Sequence, residues 1–195
     1  MRKLKLQVQI TLDGFIAGPS GEMDWMTWNW DEKLKSYVTE LTAGADTIVL
    51  GRKLAEGFIP HWSSQAGDPS QPEHEAGIVF SSMKKVVFTR TLTGDAAEEK
   101  GWKNTVIAQS ELKDEIGRLK STVGKDIIAY GGAAFVSSLI SEGLIDDFYL
   151  FINPVALGHG LPVFAEVQKA LQLSLTQATS FECGIIVAHY KPVAA

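Results

Sequence analysis

The chain has 195 residues, of which 45% are hydrophobic and 21% are charged, and these values suit a single globular domain that buries its own core. Its net charge of −5 argues against a nucleic-acid partner, and its only cysteine, Cys183, excludes an intrachain disulfide bond. No apolar run is long enough for a membrane span and the N-terminus lacks a signal-peptide core, so we expect one soluble, cytoplasmic domain over residues 1–195 with no membrane partner.

Strands and helices alternate through most of the sequence, and the last elements are strands only. Hydrophobic periodicity predicts, in chain order, strand Lys3–Leu12, helix Asp31–Ala43, strand Asp46–Leu50, a short helix Arg52–Gly57, helix Glu73–Ser82, strand Lys85–Thr89, strand Thr105–Ala108, helix Glu111–Ser121, strand Asp126–Tyr130, helix Ala133–Glu142, strand Asp146–Pro154, and strands Leu171–Thr179 and Ile185–Lys191. Glycine-, proline- or serine-rich loops are predicted over Asp13–Gly21, Ser63–Pro72 and Val155–Phe164. This order predicts an α/β fold whose mixed sheet is parallel at its centre, has helices on both faces, and ends in an antiparallel hairpin.

A double glycine joins the predicted strand Asp126–Tyr130 to the helix that follows it. Gly131 and Gly132 let the backbone turn sharply, with no Cβ to keep a ligand away. The amide groups of the new helix then face outward, and the helix dipole favours an anion such as phosphate. A plain tight turn between packed elements explains the two glycines equally well.

Two further strand ends carry cations. Gly51 is followed by Arg52 and Lys53, a combination that suits phosphate better than glycine alone. Thr89 and Arg90 end the strand Lys85–Thr89 with a hydroxyl and a guanidinium group. Because ligands of open α/β sheets collect at the carboxyl ends of the strands, the three ends together indicate one ligand with several phosphates.

Trp25, Trp28 and Trp30 crowd the segment before the first predicted helix. They indicate either a packed corner of the core or an aromatic wall for a flat ring, and the sequence leaves both interpretations open. Asp31, directly after them, is a plausible N-cap of that helix. His61 could border a substrate or belong to an exposed loop.

Other chemistries have weaker support. The four histidines are scattered without the spacing of metal ligands, so no metal site is predicted. No G-x-S-x-G motif of a serine hydrolase is present. A Rossmann dehydrogenase would carry G-x-G-x-x-G after its first strand, and Asp13–Gly18 does not supply that motif.

Short motifs are distributed along nearly the whole chain. They are Thr11–Ala17 (TLDGFIA), Leu50–Arg52 (LGR), Lys85–Arg90 (KVVFTR), Gly131–Ala133 (GGA), Gly143–Asp147 (GLIDD) and Pro154–Phe164 (PVALGHGLPVF). In this order they resemble the dihydrofolate-reductase-like family, most closely the reductase domain of bacterial riboflavin biosynthesis and its small stand-alone relatives. The resemblance implies the three-layer dihydrofolate-reductase-like fold.

The resemblance also implies NADPH as the hydride donor. The cofactor-binding positions that it implies are Ile16 and Ala17 beside the nicotinamide, Gly51, Arg52 and Lys53 at phosphate, Thr89 and Arg90 at the 2′-phosphate, and Gly131, Gly132, Ala133, Ala134 and Phe135 at the pyrophosphate and the nearby ribose. A homodimer is implied as well, and we place its interface on the late strands and the loop Leu157–Phe164.

The activity implied is reduction of a pterin-like or ribosylaminopyrimidine substrate, similar to 5-amino-6-(5-phosphoribosylamino)uracil reductase or to dihydrofolate reductase. Asp31 stands at about the place of the carboxylate that assists protonation in dihydrofolate reductases, so it is the candidate catalytic residue beside its N-cap role. Candidate substrate-binding residues are Trp25, Trp28, His61 and Tyr130; for Tyr130, which stands at a strand end, a packing role is favoured over the pocket.

The alternative is an NADP(H)-binding protein without turnover, acting as a sensor or as a partner of another protein. The missing threonine of the family's G-R-x-T pattern and the lack of a clear catalytic acid favour this alternative. Leu54 replaces the threonine of the family's G-R-x-T, and Gln9 stands where small residues are usual beside the nicotinamide.

Overall fold

The computed structural model describes residues 1–193, within which ten strands and six helices are present. In chain order the elements are β1 (Leu4–Ile10), β2 (Phe15–Ala17), α1 (Glu32–Ala43), β3 (Ala45–Gly51), α2 (Arg52–Gly67), α3 (His74–Ser82), β4 (Lys84–Phe88), α4 (Ala96–Glu99), β5 (Thr105–Ile107), α5 (Leu112–Ser121), β6 (Asp126–Ala129), α6 (Ala133–Ser141), β7 (Asp147–Ile152), β8 (Leu161–Pro162), β9 (Leu173–Ser180) and β10 (Ile186–Pro192).

The main sheet has the strand order β5-β4-β3-β6-β1-β7-β10-β9. Every neighbouring pair from β5 to β7 is parallel, β10 then runs antiparallel to β7, and β9 runs antiparallel to β10. Strands β2 and β8 pair separately as a small antiparallel sheet. The predicted mixed sheet with a C-terminal antiparallel hairpin is therefore confirmed.

Two apolar layers cover the two faces of the main sheet. On one face, Leu6 of β1 belongs to the same buried cluster as Val136 of α6. On the other face, Phe151 of β7 is buried in a cluster with Leu34 of α1. Because side chains alternate along a strand, Gln7 of β1 lies on the face that α1 covers.

Helix α2 is longer than the sequence predicts. The prediction of a short helix Arg52–Gly57 and a loop Ser63–Pro72 was wrong for the residues up to Gly67, since a single helix runs through Pro60. Trp62 of this helix packs on Phe80 of α3, with ring centroids 4.4 Å apart. Burial of aromatic rings thus outweighs the unfavourable local propensity of proline and serine.

Two segments predicted as loops contain the strands β2 and β8, which pair with each other. The Asp13 carboxylate joins them further, because it accepts hydrogen bonds from the backbone N–H groups of Leu157 (3.1 Å) and Gly158 (2.7 Å). The hydroxyl of Thr11, which donates to the same carboxylate, and the Gly158 amide hold the pKa of Asp13 below its usual value. The two segments are therefore fastened to each other.

An ion pair and a histidine–carboxylate hydrogen bond lie at the amino ends of the parallel strands. Lys5 Nζ lies 3.0 Å from the Asp126 carboxylate, and His189 Nε2 lies 2.7 Å from that of Asp147. Within residues 1–193, no three His, Cys, Asp or Glu side chains are gathered in a way that could hold a metal ion. Over the same range, no helix has the length and apolar character needed to cross a membrane.

Candidate functional site

The predicted phosphate-binding strand ends lie at one edge of the sheet. Gly51 pairs with Phe88 at the end of β4, and Val49 pairs with Ala129 at the end of β6. Since these strands are parallel neighbours, the segments that follow them begin side by side. The structure thus brings together Gly51-Arg52-Lys53, Thr89-Arg90 and Gly131-Gly132.

Phe135 in the first turn of α6 is the point where these segments meet. A Cβ built on Gly51 would lie 2.8 Å from the Cβ of Phe135, closer than real Cβ atoms approach. The Phe135 ring also stacks on Phe88, with centroids 5.2 Å apart. The beginnings of α2 and α6 are therefore in direct contact, and glycine at position 51 permits that contact.

The double glycine has the backbone conformation that only glycine adopts readily. Gly131 has φ 146° and Gly132 has φ 87°, both in the region of positive φ. A Cβ at Gly131 would lie 3.7 Å from Leu54 and 4.0 Å from Ile16. Ile16, predicted beside the nicotinamide, is thus a direct neighbour of the glycine turn, and Ala17 follows it in β2 as a buried residue.

In the described part of the chain, the N-cap residues of α2 and α6 make no side-chain capping hydrogen bond. The first-turn amides of α6 belong to Ala133, Ala134 and Phe135. Unpaired N–H groups at a helix start, reached over a turn that has no Cβ atoms, form a cradle for an anion. A pyrophosphate group fits this arrangement in charge and in hydrogen-bonding character.

The predicted cations differ in their availability. Arg52 Nη1 lies 2.9 Å from one oxygen of Glu56 and 3.1 Å from the other, so its charge is partly neutralised within α2. Lys53 and Arg90 are exposed, and the ion pairs within residues 1–193 include neither. Thr89 Oγ1 accepts from the N–H of Thr91 at 3.1 Å and shapes the turn that presents Arg90.

Asp31, the candidate catalytic residue, accepts hydrogen bonds from the backbone with both of its carboxylate oxygens. One carboxylate oxygen accepts from the N–H of Leu34 at 2.9 Å, and the other accepts from the N–H of Cys183 at 3.2 Å. These bonds, the one from Leu34 foremost, hold the pKa of Asp31 below its usual value. A proton donor needs a raised pKa, so the geometry supports the N-cap role and speaks against the catalytic one.

The side chains of two candidate substrate residues are engaged in contacts with other aromatic or charged side chains. The Tyr130 ring stacks on Phe58, with centroids 5.5 Å apart, and burial raises the pKa of its hydroxyl. His61 is exposed on α2, with its ring 4.8 Å from that of Trp62 and Nε2 3.4 Å from Glu73. Tyr130 is therefore a packing residue, and His61 forms a surface contact; neither position supports the predicted substrate role.

The tryptophan segment contains both features between which the sequence left the choice open, a packed corner of the core and an exposed aromatic face. Trp30 packs against the core on the α1 face, while Trp28, stacked on it at 6.0 Å, remains 67% exposed. Trp25 donates from Nε1 to the Glu22 carbonyl at 3.2 Å. The segment thus has an anchored side and a free aromatic face.

Asn153 is a residue of this region that the sequence did not reveal. It is fully buried directly after β7, where Oδ1 accepts from the N–H of Thr27 at 3.0 Å. Its Nδ2 donates to Gln9 Oε1 at 2.7 Å. Asn153 therefore links the tryptophan segment to the end of β1 through hydrogen bonds. The only sequence signal for it was an asparagine directly before a proline at the end of a predicted strand.

The fold and these motifs decide the family. The family model described as the RibD C-terminal domain matches residues 2–187. The chain belongs to this family. It is similar to YyaP of Bacillus subtilis (strain 168), with 34% identity over 188 residues that cover 95% of this chain and 92% of YyaP. It is also similar to the riboflavin biosynthesis protein RibD of Corynebacterium ammoniagenes, with 27% identity over 157 residues that cover 80% of this chain and 44% of that protein.

Solved structures confirm the fold. A deaminase/5-amino-6-(5-phosphoribosylamino)uracil reductase from Thermotoga maritima matches with a TM-score of 0.67 at 16% identity, over 98% of this chain and 57% of that one. Dihydrofolate reductase from Enterococcus faecalis, complexed with NADP(H), matches with a TM-score of 0.60 at 16% identity, over 98% and 97% of the two chains. The predicted dihydrofolate-reductase-like fold is confirmed, and family and fold together support an oxidoreductase of the riboflavin-pathway reductase type.

Proposed function

We propose that this RibD C-terminal domain protein is an NADPH-dependent reductase that transfers a hydride to a flat heterocycle of the pterin or ribosylaminopyrimidine class. The observation that carries the proposal is the meeting of Gly51, Gly131 and Ile16 around the first turn of α6. Strand ends with glycine turns, uncapped helix starts and nearby cations are the features that a dinucleotide needs.

The residues at this edge fit NADPH. The amides of Ala133, Ala134 and Phe135 would hold the pyrophosphate, with Gly51 and Lys53 beside them. Thr89 and Arg90 would hold the 2′-phosphate, because Arg90 is an exposed guanidinium next to a hydroxyl. When bound, NADPH supplies the hydride. The chain's own contribution is to orient the nicotinamide against Ile16 and Ala17 and to exclude water there.

The substrate would lie between the end of β1 and the tryptophan segment. Trp28 offers an exposed indole face for stacking on a flat ring. Asp31 has both oxygens committed to backbone N–H groups, so the proposal gives it a structural role. What this site supplies to the reaction is positioning.

We further propose a homodimer formed through the outer strands. Leu175 of β9 and Ile186 of β10 lie on one face of the sheet, and they are 54% and 42% exposed. Large apolar side chains at a sheet edge favour pairing with a second copy. Light scattering on the purified protein tests the dimer: a monomer at micromolar concentration would refute it.

A protein that binds NADP(H) without turnover is the second candidate. Two observations favour it: the Arg52 guanidinium is paired with Glu56 within its own helix, and Leu54 presents no hydroxyl to the glycine turn. The two candidates differ in whether bound cofactor is consumed. Binding without oxidation across a set of pterins and aminouracils would favour this alternative.

Titration of the intrinsic tryptophan fluorescence with NADPH and with NADH tests the first proposal. Tight binding of NADPH with weak binding of NADH is expected, and consumption of NADPH in the presence of a heterocycle should follow. Absence of binding of either dinucleotide would refute the reductase and its alternative together.

A further inference from the structure

One buried oxygen of this protein has no hydrogen-bond partner. Gln7 Oε1 is the only buried side-chain nitrogen or oxygen without a partner among residues 1–193, and Gln7 as a whole is 7% exposed. An unpaired carbonyl oxygen in the interior costs folding free energy, so native proteins rarely keep one without a use. The position of Gln7 indicates what that use is.

Gln7 lies beneath helix α1. In the sheet, β1 stands between β6 and β7, and α1 makes contact on both sides of it. Thr42 of α1 is 3.3 Å from the hydroxyl of Tyr130, which follows β6, and the Tyr37 ring of α1 is 6.2 Å from Phe151 on β7. Helix α1 therefore crosses β1, and Gln7 lies on the face of β1 that the helix covers.

Gln9 is the next residue of β1 on the same face. Its Oε1 accepts from Asn153 Nδ2 at 2.7 Å, and its Nε2 donates to no atom of residues 1–193. Asn153 is itself fixed, since its Oδ1 accepts from the Thr27 N–H. Asn153 therefore decides which end of the Gln9 amide is free, and the free end carries two N–H donors.

Gln7 and Gln9 lie on β1, the strand next to β6, whose end carries the glycine turn. Leu6 pairs with Ala129, the last residue of β6, so Gln7 and Gln9 lie towards the same end of the sheet from which the glycine turn leaves β6. Trp30, on the other side, packs on the same face of the sheet as α1. A ring held against the tryptophan segment at that end of the sheet would thus meet Gln9 first and Gln7 behind it.

We propose that Gln7 and Gln9 determine substrate specificity by reading a cyclic amide edge, in which a ring N–H donor stands beside a ring carbonyl. Gln7 Oε1 accepts the ring N–H, and Gln9 Nε2 donates to the adjacent carbonyl oxygen. Because the carboxylate of Asp31 is bound to the backbone, this amide pair takes over recognition of the ring. The inference rests on the proposed function, since it assigns the substrate side of the same site.

Two matched probes test the pair without turnover: 1-methyllumazine, which keeps its ring N–H between two carbonyls, and 1,3-dimethyllumazine, which has lost it. Calorimetry on the wild-type protein, with and without NADPH, should show about tenfold or greater preference for 1-methyllumazine, the loss expected for one buried hydrogen bond. Equal affinity for the two probes, or no binding of either, would overturn the proposal without any variant having to fold.

Variants then assign the contacts. Gln7→Leu should bind both probes equally while its Tm stays the same or rises, because the unpaired oxygen is gone. Gln9→Leu should weaken 1-methyllumazine about tenfold, and exposed Gln168→Leu should change nothing. If Gln7→Leu keeps the probe preference, Gln7 has only a structural role and the proposal fails. NADPH titration of the same samples is separate: NADPH binding without probe preference refutes the amide pair alone, and probe preference without NADPH binding refutes the reductase alone.

Discussion

Gly51 and Phe135 touch across the boundary between β3 and α6, and their contact leaves no room for a side chain at position 51. The two residues are far apart in the sequence, and their backbones must approach closely if the beginnings of α2 and α6 are to face one ligand. The proposed pyrophosphate site at the beginning of α6 depends on this close approach.

Replacing Gly51 by alanine should shift α6 away from β3. We expect the affinity for NADPH and for NADH to fall on the order of tenfold or more, because the first-turn amides move relative to Gly51. The control is Gly57→Ala in α2, the helix that follows Gly51, where no atom lies within 4 Å of the added Cβ. That change should stabilise the protein by about 1 kcal/mol and leave binding unchanged. Fluorescence titration decides, and wild-type affinity in Gly51→Ala would refute the contact's role.

Arg90→Ala should separate the two dinucleotides. Only NADPH carries a 2′-phosphate, so its affinity should fall by about ten- to a hundredfold, as expected for a lost charge-assisted hydrogen bond, while NADH binding stays the same. Lys103→Ala, which removes an exposed cation before β5, serves as the control. Equal losses of affinity for NADPH and NADH would show that Arg90 does not bind the 2′-phosphate.

Gly132→Ala should weaken both dinucleotides alike. Its φ of 87° costs an L-residue roughly 1–2 kcal/mol, and the added methyl group would stand in the anion cradle. Gly143, at the other end of α6, has φ 65° and open space around its Cβ position. Gly143→Ala should therefore lose similar stability in thermal unfolding but bind normally. Equal dinucleotide affinities of Gly132→Ala and Gly143→Ala would show that the double glycine does not contribute to cofactor binding.

Asp31→Asn distinguishes an N-cap from an acid. Asparagine caps helices as well as aspartate, so Tm at neutral pH should hold, whereas Asp31→Ala should lower it. The folded-state pKa of Asp31 is lowered, so its stabilising effect is present above the unfolded pKa and is lost as pH falls through the folded one. Asp31→Asn should lack this acid-side loss. A drop in NADPH oxidation of about a hundredfold in Asp31→Asn would instead restore the catalytic assignment.

Lys85 offers a test at alkaline pH. Its ammonium group is buried and donates to the carbonyls of Phe80, Ser81 and Met83 at the end of α3, and burial lowers its pKa to about 8. Because the unfolded chain binds this proton more tightly, the cost of burying the charge is present in full below pH 8 and fades as pH rises towards the unfolded value. Relative to Lys85→Met, wild-type stability should thus increase between about pH 8 and 10.5. A constant difference in Tm would contradict the buried charge.

Local patterns predicted much of this fold. The alternation of Leu4 and Leu6 marked β1, and the double glycine marked the turn into α6, because each signal depends on neighbours in sequence. The family followed from the order of such motifs. Helix α2 was missed beyond Gly57 because its stability comes from Trp62 packing on Phe80, a contact that Pro60 and the serines conceal.

The site was harder to predict than the fold. Gly51, Gly131 and Ile16 were named from motifs, and the structure places them together. Asn153 and the role of Gln9 were missed, because their meaning lies in a hydrogen bond between residues 144 positions apart. Tyr130, at a strand end beside a glycine turn, suited either a pocket or a packing role, and its ring stacks on Phe58 in the aromatic layer under α2.

The fastening of β2 to β8 has a consequence for kinetics. Because the Asp13 carboxylate accepts hydrogen bonds from the amides of Leu157 and Gly158, and β2 pairs with β8, we expect the segment that carries Ile16 to move together with residues 155–162. A mobile loop would have to become ordered each time a ligand binds, whereas these two paired segments become ordered once, when the chain folds. Ligand entry should therefore proceed at a rate set by diffusion and desolvation, with no slow isomerisation step before it.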